Sequence, residues 1–275
     1  MSNDLQNKQN NMLEMFMGAD SYTGLEEIDS TDLTIAKVKL LQAMSEEVGS
    51  RKGMPGQFYN AQTGEAMDEI ECYLLRVGKS RAMFKQPYVK GSRALCSSVD
   101  CKMGTTAEGK KKSCVGCPNA DWGKAQAAGK TKPDCNQSYV LFGATYEDGT
   151  PFRFTCSGDA VKVCKAFINS LMYKKMPLFV HKIKITASAV SNNKGNYFVP
   201  KFEFIEAYDA NMARTLSPEV QKELCVKWGE RQSQAEGLAE FYSKAMDNDN
   251  QTIDDSHVVD EQNGIDVDDE TGKLF

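Results

Sequence analysis

Apolar residues along this chain recur mainly at every second position, in short runs divided by turn residues. From Leu33 the pattern reads LTIAKVKLLQAM, with Leu33, Ile35, Lys37 and Lys39 alternating against Thr34, Ala36, Val38 and Leu40. That is strand periodicity, with a short helix as its competitor. Gly53, Pro55, Gly56, Asn60 and Gly64 then mark a turn-rich segment around Phe58-Tyr59. Ile70–Val77 (IECYLLRV) predicts a second strand, broken at Gly78-Lys79, with Arg81–Phe84 following at hairpin spacing. Ser138–Tyr146 returns to the strand pattern, and Asp148-Gly149 predicts a hairpin into Pro151–Cys156.

The period lengthens twice. Gly158–Tyr173 places Val161, Cys164, Ile168 and Leu171 on one helical face, and Pro177 ends that helix. Two long strands, Leu178–Val190 and Tyr197–Tyr208, follow, with a turn at residues 192–195. Ser217-Pro218-Glu219 is a helix start, with a capping hydroxyl, a first-turn proline and an early acid. Val220, Leu224, Trp228, Ala235, Leu238 and Tyr242 line one face of that helix as far as about Met246. Five or six short strands with one interposed helix predict a mainly β, α+β chain. They fit an OB-like antiparallel barrel better than a sandwich or a doubly wound sheet. The expected plan is a flexible arm at 1–32, a barrel domain at 33–210 with a module inserted at 96–135, a helix at 217–246 and an acidic tail at 247–275.

The inserted stretch holds five of the nine cysteines. Cys114 and Cys117 form a CxxC pair, and seventeen residues separate each of Cys96 and Cys135 from it. Gly, Lys, Ser, Thr and Ala dominate between them, too little apolar surface to offset chain entropy. A tetrahedral thiolate zinc site would supply the missing folding free energy, and Gly116 suits the knuckle turn. Spacing allows two ligand sets: Cys96, Cys114, Cys117 and Cys135, or Cys96, Cys101, Cys114 and Cys117. Either set fills all four positions with sulfur, so the zinc is expected to be structural. A loop with free thiols is the plain alternative.

Charge changes the picture more than its total does. The net charge is −5, but residues 247–275 hold ten Asp/Glu and one Lys, and residues 1–34 hold seven Asp/Glu and one Lys. The body between them therefore carries +10. Its cations lie among aromatic residues: Lys79, Arg81, Phe84 and Tyr88 in GKSRAMFKQPYVKGSR, Arg153 within FRF, and Tyr197 and Lys201 on the last hairpin. Lysine and arginine track a phosphate backbone, while aromatic faces stack unpaired bases. The acidic tail, ending in Leu274-Phe275, is expected to compete for that surface as a phosphate mimic and to dock partner proteins.

Catalytic constellations are scarce. The two histidines are His181 in a strand and His257 in the tail, and His181 alternates with Phe179, Ile183 and Ile185 as a packed residue would. No phosphate-binding glycine loop occurs. Glu69 and Glu71 could serve a metal-dependent nuclease, but an exposed strand start accounts for them as well. No enzyme activity is expected. No apolar run approaches the length of a membrane span, no secretion signal is seen, and the odd cysteine count fits a reducing cytoplasm.

These residues carry a resemblance. The basic, aromatic-rich strand segments and the acidic C-terminus ending in Phe resemble single-stranded DNA-binding proteins, and the cysteine insertion resembles the zinc-containing phage members of that class. AKVKLLQAMSEEV, PGQFYNAQTGE, KSRAMF, CVGCPNADWG and KPDC also look like a family of tailed-phage proteins, over roughly residues 33–205. That resemblance implies Cys96, Cys114, Cys117 and Cys135 as the zinc ligands, with Cys101 extra. It implies sequence-independent single-strand binding in phage replication or recombination, in the host cytoplasm, with replication or recombination proteins recruited by the tail and room for a homo-oligomer. The chain departs from the class in two places: no histidine lies in the module, and Gly272-Lys273 interrupts the terminal acids. A zinc-ribbon adaptor for a host or phage transcription or replication protein is the alternative expectation.

Overall fold

The computed structural model describes residues 35–87, 92–192 and 195–248. These form a mixed, sheet-dominated α+β structure around an open sheet. Its strands are β1 (Ala36–Leu40), β2 (Phe58–Asn60), β3 (Ala66–Met67), β4 (Glu69–Met83), β5 (Cys96–Ser98), β6 (Met103–Thr106), β7 (Lys111–Ser113), β8 (Cys135–Thr145), β9 (Pro151–Cys156), β10 (Lys182–Asn192) and β11 (Gly195–Glu206). The helices are α1 (Glu46–Gly49), α2 (Trp122–Ala127), α3 (Ala160–Lys174), α4 (Ala210–Thr215) and α5 (Pro218–Asn248). No helix among the described residues is long and apolar enough to cross a membrane.

Strand order along the main path is β3-β2-β1-β9-β8-β4-β5-β6-β7, with β10 pairing β4 and β11 pairing β10. The β4–β8, β8–β9, β4–β10 and β10–β11 pairs are antiparallel, and β1 runs parallel to β9. β4 organises the whole. The start of one edge pairs with β10, the end of the same edge with β5, and β8 runs along the other edge. The sequence pattern predicts two strands here, broken at Gly78-Lys79. The chain instead stays extended for fifteen residues, and the irregularity is a register shift between Leu74 and Arg76. A bulge of this kind curls a long strand without ending it.

The core follows from alternation. Ala36, Val38, Phe58, Ile70, Cys72, Leu74, Tyr139, Leu141, Phe152, Phe154, Ile183 and Ile185 face one side of the curled sheet. α3 closes it with Cys164, Phe167 and Leu171, Phe167 stacking on Phe202 of β11 at 4.5 Å. On the opposite side Tyr73, Leu75, Phe142 and Ala144 form a second cluster, sealed by Leu238 of α5. α5 is anchored there by Arg231, whose guanidinium lies 4.5 Å from the Tyr73 ring centroid and donates to the Phe179 carbonyl at 3.1 Å. Leu224, Trp228, Ala235 and Leu238 turn toward the body as the periodicity predicts, whereas Val220 stays exposed. Tyr242's side chain lies outside the description.

Residues 178–180 form a 3-10 turn rather than the start of the predicted strand, and His181 ends that turn instead of lying in β10. Its Nδ1 accepts the Tyr208 N–H at 3.2 Å, and burial beside the Lys174 cation pushes its pKa down to about 4. The predicted turn after β10 falls partly on residues 193–194, outside the described set.

Candidate nucleic-acid interface and thiol module

The bulge in β4 decides which side chains share a face. Beyond it, Val77, Lys79, Arg81 and Met83 pair directly across from Leu141, Tyr139, Gln137 and Cys135 of β8. Val77, Leu141 and Tyr139 still belong to the core, so Lys79 and Arg81 continue the core-facing side outward, past the end of the apolar cluster. The Lys79 ammonium stands 5.7 Å from the Tyr139 ring centroid, and Arg81 donates to Gln137 Oε1 at 2.9 Å. Two cations, a ring and an amide thus occupy adjoining strands.

The next row along the sheet holds the thiols. Met83 pairs with Cys135 on one side and with Cys96 of β5 on the other, which puts both cysteines on one face, two strands apart. β6 and β7 fold back as a hairpin, and the Cys114 N–H donates to the Lys102 carbonyl at 2.8 Å. The chain then turns through Gly116 at φ +71°, where the Cys117 N–H meets the Cys114 carbonyl at 3.3 Å. Gly104 lies under this arrangement. A Cβ there would stand 3.0 Å from Cys96 Sγ and 3.3 Å from Cys114 Sγ, with the Ser97 carbonyl at 3.2 Å.

Electrostatics groups the same four sulfurs. The Cys135 thiol is pushed up to about 11 by burial and by the Cys117, Cys96 and Cys114 sulfurs, against the lowering influence of Arg81. Cys96 is raised by burial and then by Cys114 and Cys117. Cys101 is raised mainly by burial, lies in hydrogen-bonding contact with Arg81, and is also raised by Cys114. The four thiols singled out by the resemblance are therefore neighbours, and the fifth turns toward the strand face. As the side chains stand, no group of three or more His, Cys, Asp or Glu among the described residues is arranged to hold a metal ion.

The remaining predicted contacts scatter. Phe84 follows β4 directly, half-buried. Arg153 pairs with Phe142, which places it on the opposite side of the sheet from Lys79. Tyr197 and Lys201 lie on β11, where the Tyr197 hydroxyl donates to Asp159 at 2.7 Å and Lys201 pairs with Glu203 at 2.8 Å. Tyr88, Leu274 and Phe275 fall outside the described residues. Glu69 and Glu71 are engaged by Lys184 at 2.6 and 3.1 Å, and Glu71 also by Lys182 at 2.8 Å. Sequence reasoning missed Tyr139 and Gln137, because their place beside Lys79 and Arg81 depends on a register that the bulge sets. No family model, no curated protein and no solved structure matches the chain.

Proposed function

We propose that the protein binds single-stranded DNA without reading its sequence, as a phage-encoded replication or recombination protein with a structural zinc ion. The observation that carries this is the Lys79–Arg81 row beside Tyr139 and Gln137, at the root of the thiol module. Cations spaced along an open strand face suit a phosphate backbone and carry no donor set for particular bases.

The pairing scheme supports the same function. β4, β8, β9, β10 and β11, with α3 between the third and fourth of them, pair first with second, second with third, first with fourth and fourth with fifth. That scheme resembles the plan of the OB barrel, here with β1 beside the third strand. OB proteins hold oligonucleotides on the second and third strands and on the loops after the first and fourth. On this plan the thiol module is the loop after the first strand, and Tyr197 stands just beyond the loop after the fourth.

Cys96, Cys114, Cys117 and Cys135 would hold zinc, closing on it from where they stand. Thiolate ligation would supply the folding free energy that the module's composition lacks. The acidic tail would compete for the cationic row and recruit partner proteins through Leu274 and Phe275. Fluorescence anisotropy with single- and double-stranded oligonucleotides at two salt concentrations tests the proposal. Single strands should bind far more tightly, and the Lys79→Ala, Arg81→Ala double variant should lower the salt slope by about one per cation removed. Equal affinity for both forms would overturn it.

A zinc-ribbon adaptor is the second reading. It is favoured by the exposure of Val115 and Trp122 on the module, and it predicts no affinity for single strands.

A further inference from the structure

Trp122 is the largest side chain that the thiol module leaves in the open, 59% exposed. It does not sit on a loose loop. It opens α2, whose start is capped by Asp121 Oδ1 accepting the Lys124 N–H at 3.1 Å. The 3-10 turn Pro118–Ala120 immediately before it packs against β8, the strand that carries Gln137 and Tyr139. The indole is thus tied to β8, the strand paired directly with the cationic row of β4.

The module that carries it also exposes Val99, Met103 and Val115, but lysine predominates. Residues 96–135 hold seven Lys against four Asp/Glu, and Lys102, Lys110, Lys111, Lys112 and Lys124 are exposed. A protein-docking surface is typically depleted of lysine, whereas lysine beside an open aromatic ring matches a phosphate backbone beside an unpaired base.

We infer that the Trp122 indole is a stacking platform for an unpaired base, so that a bound single strand runs from the Lys79–Arg81 row onto the thiol module. The inference rests on the proposed single-strand binding and adds a second contact region to it. The strand's sugar is left open, because stacking and phosphate contacts are common to DNA and RNA.

Tryptophan fluorescence in the full chain tests it. The chain has two tryptophans, and Trp228 packs edge-on against Tyr208 with ring centroids 5.3 Å apart. A Trp228→Phe variant leaves Trp122 as the sole indole. Oligo-dT and oligo-rU of about 16 nucleotides should quench it at saturation. Trp122→Ala should weaken binding by about 5- to 100-fold, and Trp122→Phe by less, with circular dichroism and metal content unchanged in both.

Tight binding with no quench, and with Trp122→Ala equal to the parent, would overturn the inference while leaving the proposed function standing. Absence of strand binding altogether would remove both. Quenching by one of the two oligomers alone would support the inference and name the sugar.

Discussion

The sheet body and the thiol module are built on opposite terms. In the body, Phe58, Leu74, Leu141, Phe154, Ile183 and Ile185 are essentially without solvent contact, and their order comes from packing. In the module, described side chains such as Val99, Met103, Val115 and Trp122 remain exposed, and what converges is sulfur. Burial of apolar area stabilises the first at roughly 25 cal/mol per Å². In the proposed zinc site, a ligand that draws thiolates together would stabilise the second. Two regions of one chain should therefore fail independently, one on loss of packing and the other on loss of metal.

The largest expected effect is on the module. Cys117→Ser should take the metal content from one zinc per chain to none, and it should strip hydrogen-exchange protection from residues 96–134 while β8 and β9 stay protected. Cys101→Ser should keep its zinc, because that thiol is hydrogen-bonded to Arg81 and lies outside the assigned set of four. Mass spectrometry of the intact chain counts the ion directly. A Cys101 variant that lost its zinc would dismiss the assigned ligand set. Gly104→Val should resemble Cys117→Ser, since its side chain would enter the space beside Cys96 and Cys114.

The converse variant is Phe154→Ala, in the body. Phe154 is buried and meets Phe58 edge-on, ring centroids 5.6 Å apart. Truncation should cost about 3–5 kcal/mol of global stability in urea unfolding. Its zinc content should be unchanged. If packing and metal loss tracked each other in these two variants, the body and the module would be one cooperative unit.

The asymmetry also explains what the sequence disclosed. Pro151–Cys156 emerges with the predicted ends, because alternation and the Asp148-Gly149 turn fix it locally; the Thr150 N–H bonds to Asp148 Oδ1 at 3.1 Å. Gly158–Tyr173 is recovered within two residues at each end, as α3. β4 has the sequence pattern of a hairpin because a bulge offers no residue-type signal, and glycine inside a strand looks like a break. The difference matters most at the candidate site. Once Val77 is known to share a face with Leu141, Lys79 and Arg81 acquire Tyr139 and Gln137 as neighbours, while Arg153 passes to the far side. The thiol set depends on pairings across β4, β5 and β8, separated by long stretches of chain, and spacing alone left two sets open.

A smaller effect concerns pH in the body. His181 has no solvent contact, and the residues facing it are Phe204, the Tyr208 N–H and the Lys174 cation. Burial and Lys174 lower its folded pKa to about 4, below its unfolded value of 6.5. The unfolded chain therefore binds the extra proton first. The neutral imidazole contributes its full stability above the unfolded value, loses it progressively as pH falls toward the folded value, and has none left below. The whole span is worth at most about 3 kcal/mol. Urea midpoints at pH 7, 5.5 and 4 should fall in the parent more steeply than in His181→Phe. Parallel decline in both would show that carboxylates, not this histidine, set the acid limit.

The smallest expected effect lies where the body comes nearest to closing on itself. β11 pairs with β10 along one edge, and its other edge meets the chain just after β1. There the Gln42 amide stands in for a strand residue: Nε2 donates to the Phe198 carbonyl and Oε1 accepts the Phe198 N–H, both at 2.8 Å. Gly56, at φ +91°, lets the backbone lie against the Phe198 ring, where a Cβ would stand 2.8 Å from Cε1. Gln42→Leu keeps the bulk but leaves both Phe198 groups unpaired, which should cost about 1–3 kcal/mol. Gln42→Glu keeps an acceptor for the N–H but turns a second oxygen on the carbonyl, and should do no better. The loss should be local, with faster exchange at the Phe198 amide and unchanged exchange along β4 and β8. If the Phe198 amide stays as protected in Gln42→Leu as in the parent, packing of Phe198 on Gly56 holds the seam and the side-chain amide is incidental to it.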